Sequence, residues 1–180
     1  MKSIIHTPHK ILITPARAVG KIDKKVLGLI SEMKQTLLAA DNPKGVGLAA
    51  PQIGIPLRIF MMRPEETDPI SVFINPEYSF KSPEMVTGIP GSDQRLEGCL
   101  SVPFVWGIVT RHKIVKITYL DEQDQRHVQE FSEFPSTIVQ HEMDHLEGIL
   151  FTKRVVEQKS KLYKPGVDDN GEEILEPLEL

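Results

Sequence analysis

Residues 132–148 read SEFPSTIVQHEMDHLEG, and the rest of the chain is best understood outward from them. Ser132 offers a hydroxyl at a helix N-cap, Pro135 is tolerated in a first turn, and Gly148 suits a left-handed position just past a helix end. The spacing therefore predicts a helix from Ser132 to Leu146 or Glu147. His141 and His145 stand four apart, one above the other on a helical face, so their imidazoles can converge on one metal ion. Glu142, next to the first histidine, can reach a water at the open position of that ion as a general base. Val139, Met143 and Leu146 are apolar at i, i+4 and i+7, which gives the helix a buried face close to the histidines. Buried imidazoles without a partner cost stability, so a ligand for them is the economical reading.

Upstream, Asp23 is an N-cap for a helix whose stripe is Val26, Ile30, Met33 and Leu37, widened by Leu27 and Leu38. The stripe ends near Ala40, where Asp41 to Gly45 is breaker chemistry. Leu57 to Met62 and Val72 to Ile74 read as strands, the second stopped by Asn75-Pro76, with a polar loop from Arg63 to Pro69 between them. Ile114 to Leu120 and Arg126 to Phe131 flank five polar residues and read as a β-hairpin. Strands in the middle and helices towards the ends make the class α+β. From Pro165 onward there are six acids and no base. The organisation expected is a catalytic domain over residues 1–164 and an acidic tail over 165–180, extended or folded as a lone hairpin around the turn signal Asp169-Asn170-Gly171.

Composition narrows the function classes. The 180 residues fit one domain, and 40% apolar with 26% charged residues describes a chain able to bury a core. A net charge of −4 argues against direct nucleic-acid binding by a general grip on phosphates. The apolar runs are too short to span a bilayer, and the first residues lack the apolar core of a signal peptide. A single cysteine, Cys99, excludes an internal disulfide, so the cytoplasm is the expected compartment.

A catalytic site on the His141–His145 helix needs a third ligand. One class of zinc peptidases places a glycine and then a histidine after the motif; Gly148 fits, but Phe151 occupies the histidine position. A second class uses a downstream glutamate, for which only tail residues such as Glu172 and Glu173 stand available. The third source is Cys99, in the tight turn Glu97-Gly98-Cys99-Leu100-Ser101, although a lone cysteine is more often a small buried hydrophobe. His112 and His127 lack ligand spacing. The small-residue stretch Gly45-Val46-Gly47-Leu48-Ala49-Ala50-Pro51-Gln52 lets backbones approach closely, and without a following Lys-Ser/Thr it is no phosphate loop.

Taken together, Gly45 to Gln52, Glu97 to Ser101 and His141 to His145 resemble the three motifs of the peptide deformylase family: G-x-G-x-A-A-x-Q, E-G-C-x-S and H-E-x-D-H, complete and in order. The resemblance spans roughly residues 5–155. It implies antiparallel and mixed β-sheets around a central metal-binding helix, and hydrolysis of the N-formyl group from the initiator methionine of new polypeptides. It further implies Cys99, His141 and His145 as ligands of one divalent ion, Fe2+ by family expectation, with Zn2+, Ni2+ or Co2+ also suited to the ligands. Glu142 is then the general base, and the Gln52 amide with the Leu100 backbone N–H stabilises the oxyanion. Val46, Gly47 and Gly98 match backbone positions that grip an extended peptide, Ile138 and Val46 are candidate walls of the methionine pocket, and Arg111 is the implied partner of Glu97.

Two departures stand out. Many bacterial members carry an arginine shortly after the cysteine motif, where this chain has Phe104-Val105-Trp106-Gly107; Trp106 would give the substrate's downstream residues an apolar face. Many also end in a basic ribosome-docking helix, where this chain is acidic. The expected partners are therefore N-formylmethionyl peptides and nascent chains, with ribosome association unsupported by the C-terminal charge.

Overall fold

The computed structural model describes residues 2–41, 44–89, 91, 96–167 and 171–178. Its elements run α1 (Lys24–Leu38), β1 (Gly47–Ala49), β2 (Ile59–Met62), β3 (Ser71–Lys81), β4 (Met85–Thr87), β5 (Glu97–Cys99) and β6 (Val102–Gly107). There follow β7 (Thr110–His112), β8 (Ile114–Leu120), β9 (Arg126–Ser132), α2 (Glu133–Leu146), α3 (Phe151–Glu157), β10 (Leu162–Val167) and β11 (Glu173–Pro177). The fold is α+β, as expected. An antiparallel five-stranded sheet has the order β1-β2-β3-β8-β9, a second sheet has the order β11-β10-β6-β5, and β4 pairs with β7.

Strand alternation explains the layers. On β2 and β3, Ile59, Met61, Val72 and Ile74 face one way and pack with Ile30, Met33 and Leu37 of α1. Phe60, Met62 and Phe73 face the other way and pack with Ile138, Val139, Met143 and Leu146 of α2. The five-stranded sheet thus lies between the two helices, and α2 is held by the apolar face read from its sequence. The Asp23 carboxylate accepts from the Lys25 and Val26 N–H groups and caps α1. Leu27 and Leu38, expected to widen the α1 stripe, are exposed instead.

Three local readings are corrected. The strand expected to stop at Asn75-Pro76 runs on to Lys81. Asn75 takes a positive φ of 49°, and its side chain bonds both the Val19 N–H and the Val19 carbonyl at 2.7 and 2.8 Å. A register shift there absorbs the proline, which has no N–H to offer a ladder. The hydroxyl of Ser132 makes no cap bond, although the residue does sit at the N-cap of α2. At the other end, Gly148 has φ +69°, and a side chain there would strike the backbone of Ile13 and Thr14. Finally, β10 begins at Leu162, so the 164/165 boundary falls inside a strand; β10 and β11 form a hairpin joined to β6. The turn read at Asp169-Asn170 lies outside the described residues.

Candidate active site

Three elements carry the chemistry to one place. β1 and the turn after it bring Gly47 and Gln52, β5 brings Glu97 to Cys99, and α2 brings His141, Glu142 and His145. One ligand atom from each of Cys99, His141 and His145 lies within 4.8 Å of the others, and all three residues are closely packed in the interior. The Cys99 Sγ stands 3.2 Å from His145 Nε2. A thiolate and two imidazoles suit a single divalent transition-metal ion with one position left for water or substrate. The residues fit the implied metal.

Around this cluster the side chains are tightly fixed. His141 Nδ1 meets Glu97 Oε2 at 3.0 Å, the carboxylate–imidazole contact that sets ring orientation in metal sites. Arg111 donates to both Glu97 oxygens, at 2.5 and 2.8 Å, and to Asp144 Oδ2 at 3.0 Å. Arg154 donates to both Asp144 oxygens, at 3.2 and 2.7 Å. Of these side chains Arg154 is the most accessible, and it is partly buried. The Glu97–Arg111 pair that the resemblance implies is present and buried.

Electrostatics separates the carboxylates. Burial alone would raise Glu97, but the Arg111 guanidinium and the His141 contact carry it down to about 2. Glu142 is buried with no such partner, and desolvation pushes it up to about 7. Its Oε2 is a buried oxygen without a hydrogen bond. The histidines diverge as well. Burial opposes charge on His141, yet the Cys99 sulfur and Glu97 hold its pKa well above the ordinary value. His145, desolvated and near His141 and Arg111, falls well below it.

Gln52 is oriented by its own turn. Its Oε1 accepts from the Ala49 N–H at 2.8 Å, which leaves the amide nitrogen 3.5 Å from the Cys99 sulfur. Gly47 is a glycine for a local reason: a Cβ there would collide with the Glu142 carboxylate. Val46, Gly47, Gly98, Ile138 and Trp106 all line a cavity of about 240 Å³, together with Gln52, Leu100 and Glu142. Trp106 is half-buried, with its indole beside Gly98. Leu96, Phe134 and Thr137 line the same cavity and were not singled out in the sequence. Phe134 and Thr137 lie two turns and one turn before His141 on α2, a spacing that could have found them. In the sequence Asp144 is only a letter of the motif, and its pairing with Arg111 and Arg154 is a long-range contact that spacing does not reveal.

The fold and site define a class: a hydrolase whose H-E-x-x-H helix meets a cysteine on a neighbouring strand. The chain belongs to the polypeptide deformylase family, whose model matches residues 1–161. It is 41% identical to peptide deformylase 1 of Bacillus subtilis over 86% of this chain and 90% of that protein. The crystal structure of peptide deformylase from Thermotoga maritima superposes with a TM-score of 0.76 at 32% identity, over 86% of this chain and 97% of that one. A Met-Ala-Ser-bound class I type b peptide deformylase from Acinetobacter baumannii gives 0.76 at 35% identity, over 86% and 98%. The family reaction, removal of the N-formyl group from newly made polypeptides, is the activity of this chain.

Proposed function

We propose that Cys99, His141 and His145 hold one divalent metal ion and that Glu142 is the general base and acid of the deformylation. The observation that carries this reading is the buried, unpartnered Glu142 oxygen beside a Cys-His-His cluster. When bound, the ion supplies Lewis-acid polarisation of the formyl carbonyl and makes water more acidic. Glu142, with a pKa near neutrality, takes a proton from the attacking water and returns it to the departing amine. Gln52 presents its amide N–H, and Leu100 its backbone N–H, to the oxygen on which charge grows. Each such donor is worth about 3 kcal/mol in the transition state. Gln52 suits the task because it donates without a formal charge, and its Ala49 contact holds that orientation before substrate arrives.

Val46 and Ile138 wall the methionine side chain, while Gly47 and Gly98 offer backbone to an extended peptide. Fe2+ is the proposed native ion, since the resemblance implies it, with Zn2+, Ni2+ and Co2+ admitted by the same donors. The substrates are N-formylmethionyl peptides and nascent chains in the cytoplasm. The acidic C-terminal segment offers no attraction to ribosomal RNA. No described helix is long and apolar enough to cross a membrane.

The test is incubation of anaerobically prepared protein with formyl-Met-Ala-Ser, with formate, free peptide and bound metal all measured. Stoichiometric formate with the peptide bonds intact, and about one metal per chain, is the expected result. Peptide-bond cleavage without formate would move the chain to the peptidases.

A further inference from the structure

The family match ends at residue 161, and the hairpin of β10 and β11 lies beyond it. That hairpin is not remote from the site. In the second sheet, Gly98 pairs with Trp106, Trp106 with Tyr163, and Tyr163 with Pro177, so these residues form one row across the four strands. Directly cross-strand partners share a face, as do residues two apart on a strand. The face that carries Gly98 and Trp106 therefore also carries Leu96, Ile108, Tyr163, Pro165 and Leu175. The same residues, with Ile174, line a groove outside the catalytic cavity, and Leu96 and Trp106 line both. Lys164 and Glu176, the cross-strand pair at the alternate positions, approach within 3.9 Å of each other. The hairpin thus sets Tyr163, Pro165 and Leu175 on the face that continues the cleft, with the Lys164–Glu176 ion pair on the other.

We infer that this groove binds the fourth and fifth residues of the formylated polypeptide and favours apolar or aromatic side chains there. The inference rests on the deformylase reading above and extends it past the residues that the catalytic cavity can hold. Continuity with that cavity selects the occupant, because a peptide leaving the metal cluster past Gly98 meets Leu96 and Trp106 next. Dimensions agree. Strands lie about 4.8 Å apart, so Tyr163 on β10 stands roughly 10 Å and Leu175 on β11 roughly 14 Å from β5. An extended peptide advances about 3.4 Å per residue, so three or four residues beyond the first reach the hairpin. Gly98 lets the indole seat closely: a Cβ there would stand 3.0 Å from the Trp106 indole nitrogen, so the ring packs directly on β5 and the outer side of the ring is what a passing peptide would meet.

The experiment compares formyl-Met-Ala with formyl-Met pentapeptides bearing Leu-Leu or Asp-Asp at positions four and five, in the metal-loaded full chain and in Ile174→Ser/Leu175→Ser. In the parent, kcat/KM for the Leu-Leu pentapeptide should exceed that for the dipeptide by roughly tenfold, the scale of burying one large apolar side chain. The gain should lie in KM and persist in raised salt, and Asp-Asp should show none of it. In the double variant the ratio should fall to within about twofold of unity. A thermal melt of each protein identifies unfolding, in which case Tyr163→Ser is compared in the same way. Equal ratios in parent and variant would overturn the proposal. So would a parent indifferent to length, or a variant that changes only the sedimentation coefficient, which would give the patch to a second copy of the chain. Absence of formate from every peptide would instead defeat the underlying deformylase reading.

Discussion

The floor of the catalytic cavity and its mouth are built on opposite principles. Below the Cys99, His141 and His145 cluster, Glu97, Arg111, Asp144 and Arg154 form a chain of ion pairs that ends on the His141 ring, with donor–acceptor distances from 2.5 to 3.2 Å. At the mouth, Leu96, Trp106, Tyr163 and Ile174 offer apolar surface. A buried charge tolerates no vacancy beside it, because the partner left behind pays a desolvation cost of several kcal/mol. An apolar wall tolerates substitution, because losing it forfeits only area. The proposed reaction chemistry therefore falls where geometry is over-determined, and the proposed substrate choice where it can change without unfolding the protein.

The sharpest test of that contrast is Arg111→Ala. It would leave Glu97 and Asp144 facing each other across a buried gap, with only His141 and Arg154 as remaining partners. Equilibrium unfolding in denaturant should show a loss of about 3 to 5 kcal/mol, with reduced metal occupancy as His141 loses its orientation. A loss below about 1 kcal/mol would show that the network is held by other means.

Next comes Glu142→Ala, which removes the one floor carboxylate lacking a charge partner. Because no ion pair is broken, stability and metal content should change little. Activity should fall at least a hundredfold, the usual scale for a general base. Near-normal turnover with metal bound would take the proton-transfer role from Glu142.

This division also explains what could be read from the sequence. The floor was legible because its chemistry constrains residue type at short spacing: His141 and His145 one helical turn apart, Cys99 between Glu97 and Ser101, Gln52 after two alanines. The α2 helix was legible from Val139, Met143 and Leu146, which do pack on the five-stranded sheet. The continuation of β3 through Asn75-Pro76 was not, since the compensating bonds come from Val19, 56 residues away. The Asp144 pairings are hidden for the same reason. The mouth was legible only at Trp106. The register that sets Tyr163 beside it joins residues far apart in the chain, and no local pattern in an acidic segment announces an apolar face.

Gly47→Ala tests the border between the two regions. The new methyl would occupy space now filled by the Glu142 carboxylate, so the base must rotate or the strand must shift. The effect should be about tenfold on kcat, smaller than deletion of the base but far larger than a surface methyl would cause. A Gly47→Ala enzyme with unchanged kcat would mean that Glu142 moves freely before reaction.

The smallest effect belongs to Trp106→Ala. The indole lines the cavity but contacts neither the ligand cluster nor the Arg111 network among the described hydrogen bonds, so no charge is exposed or orphaned by its loss. What disappears is a broad apolar wall that substrate meets equally before and during reaction, and uniform binding of that kind appears in KM. For a formyl-Met tripeptide with an apolar third residue, KM should rise roughly three- to fivefold while kcat stays within about twofold. The rise should be insensitive to salt, since no charge is involved. Steady-state kinetics at two ionic strengths decide it. A fall confined to kcat would make the indole part of the floor, where it would have to position Gly98 and hence the Cys99 strand rather than the peptide.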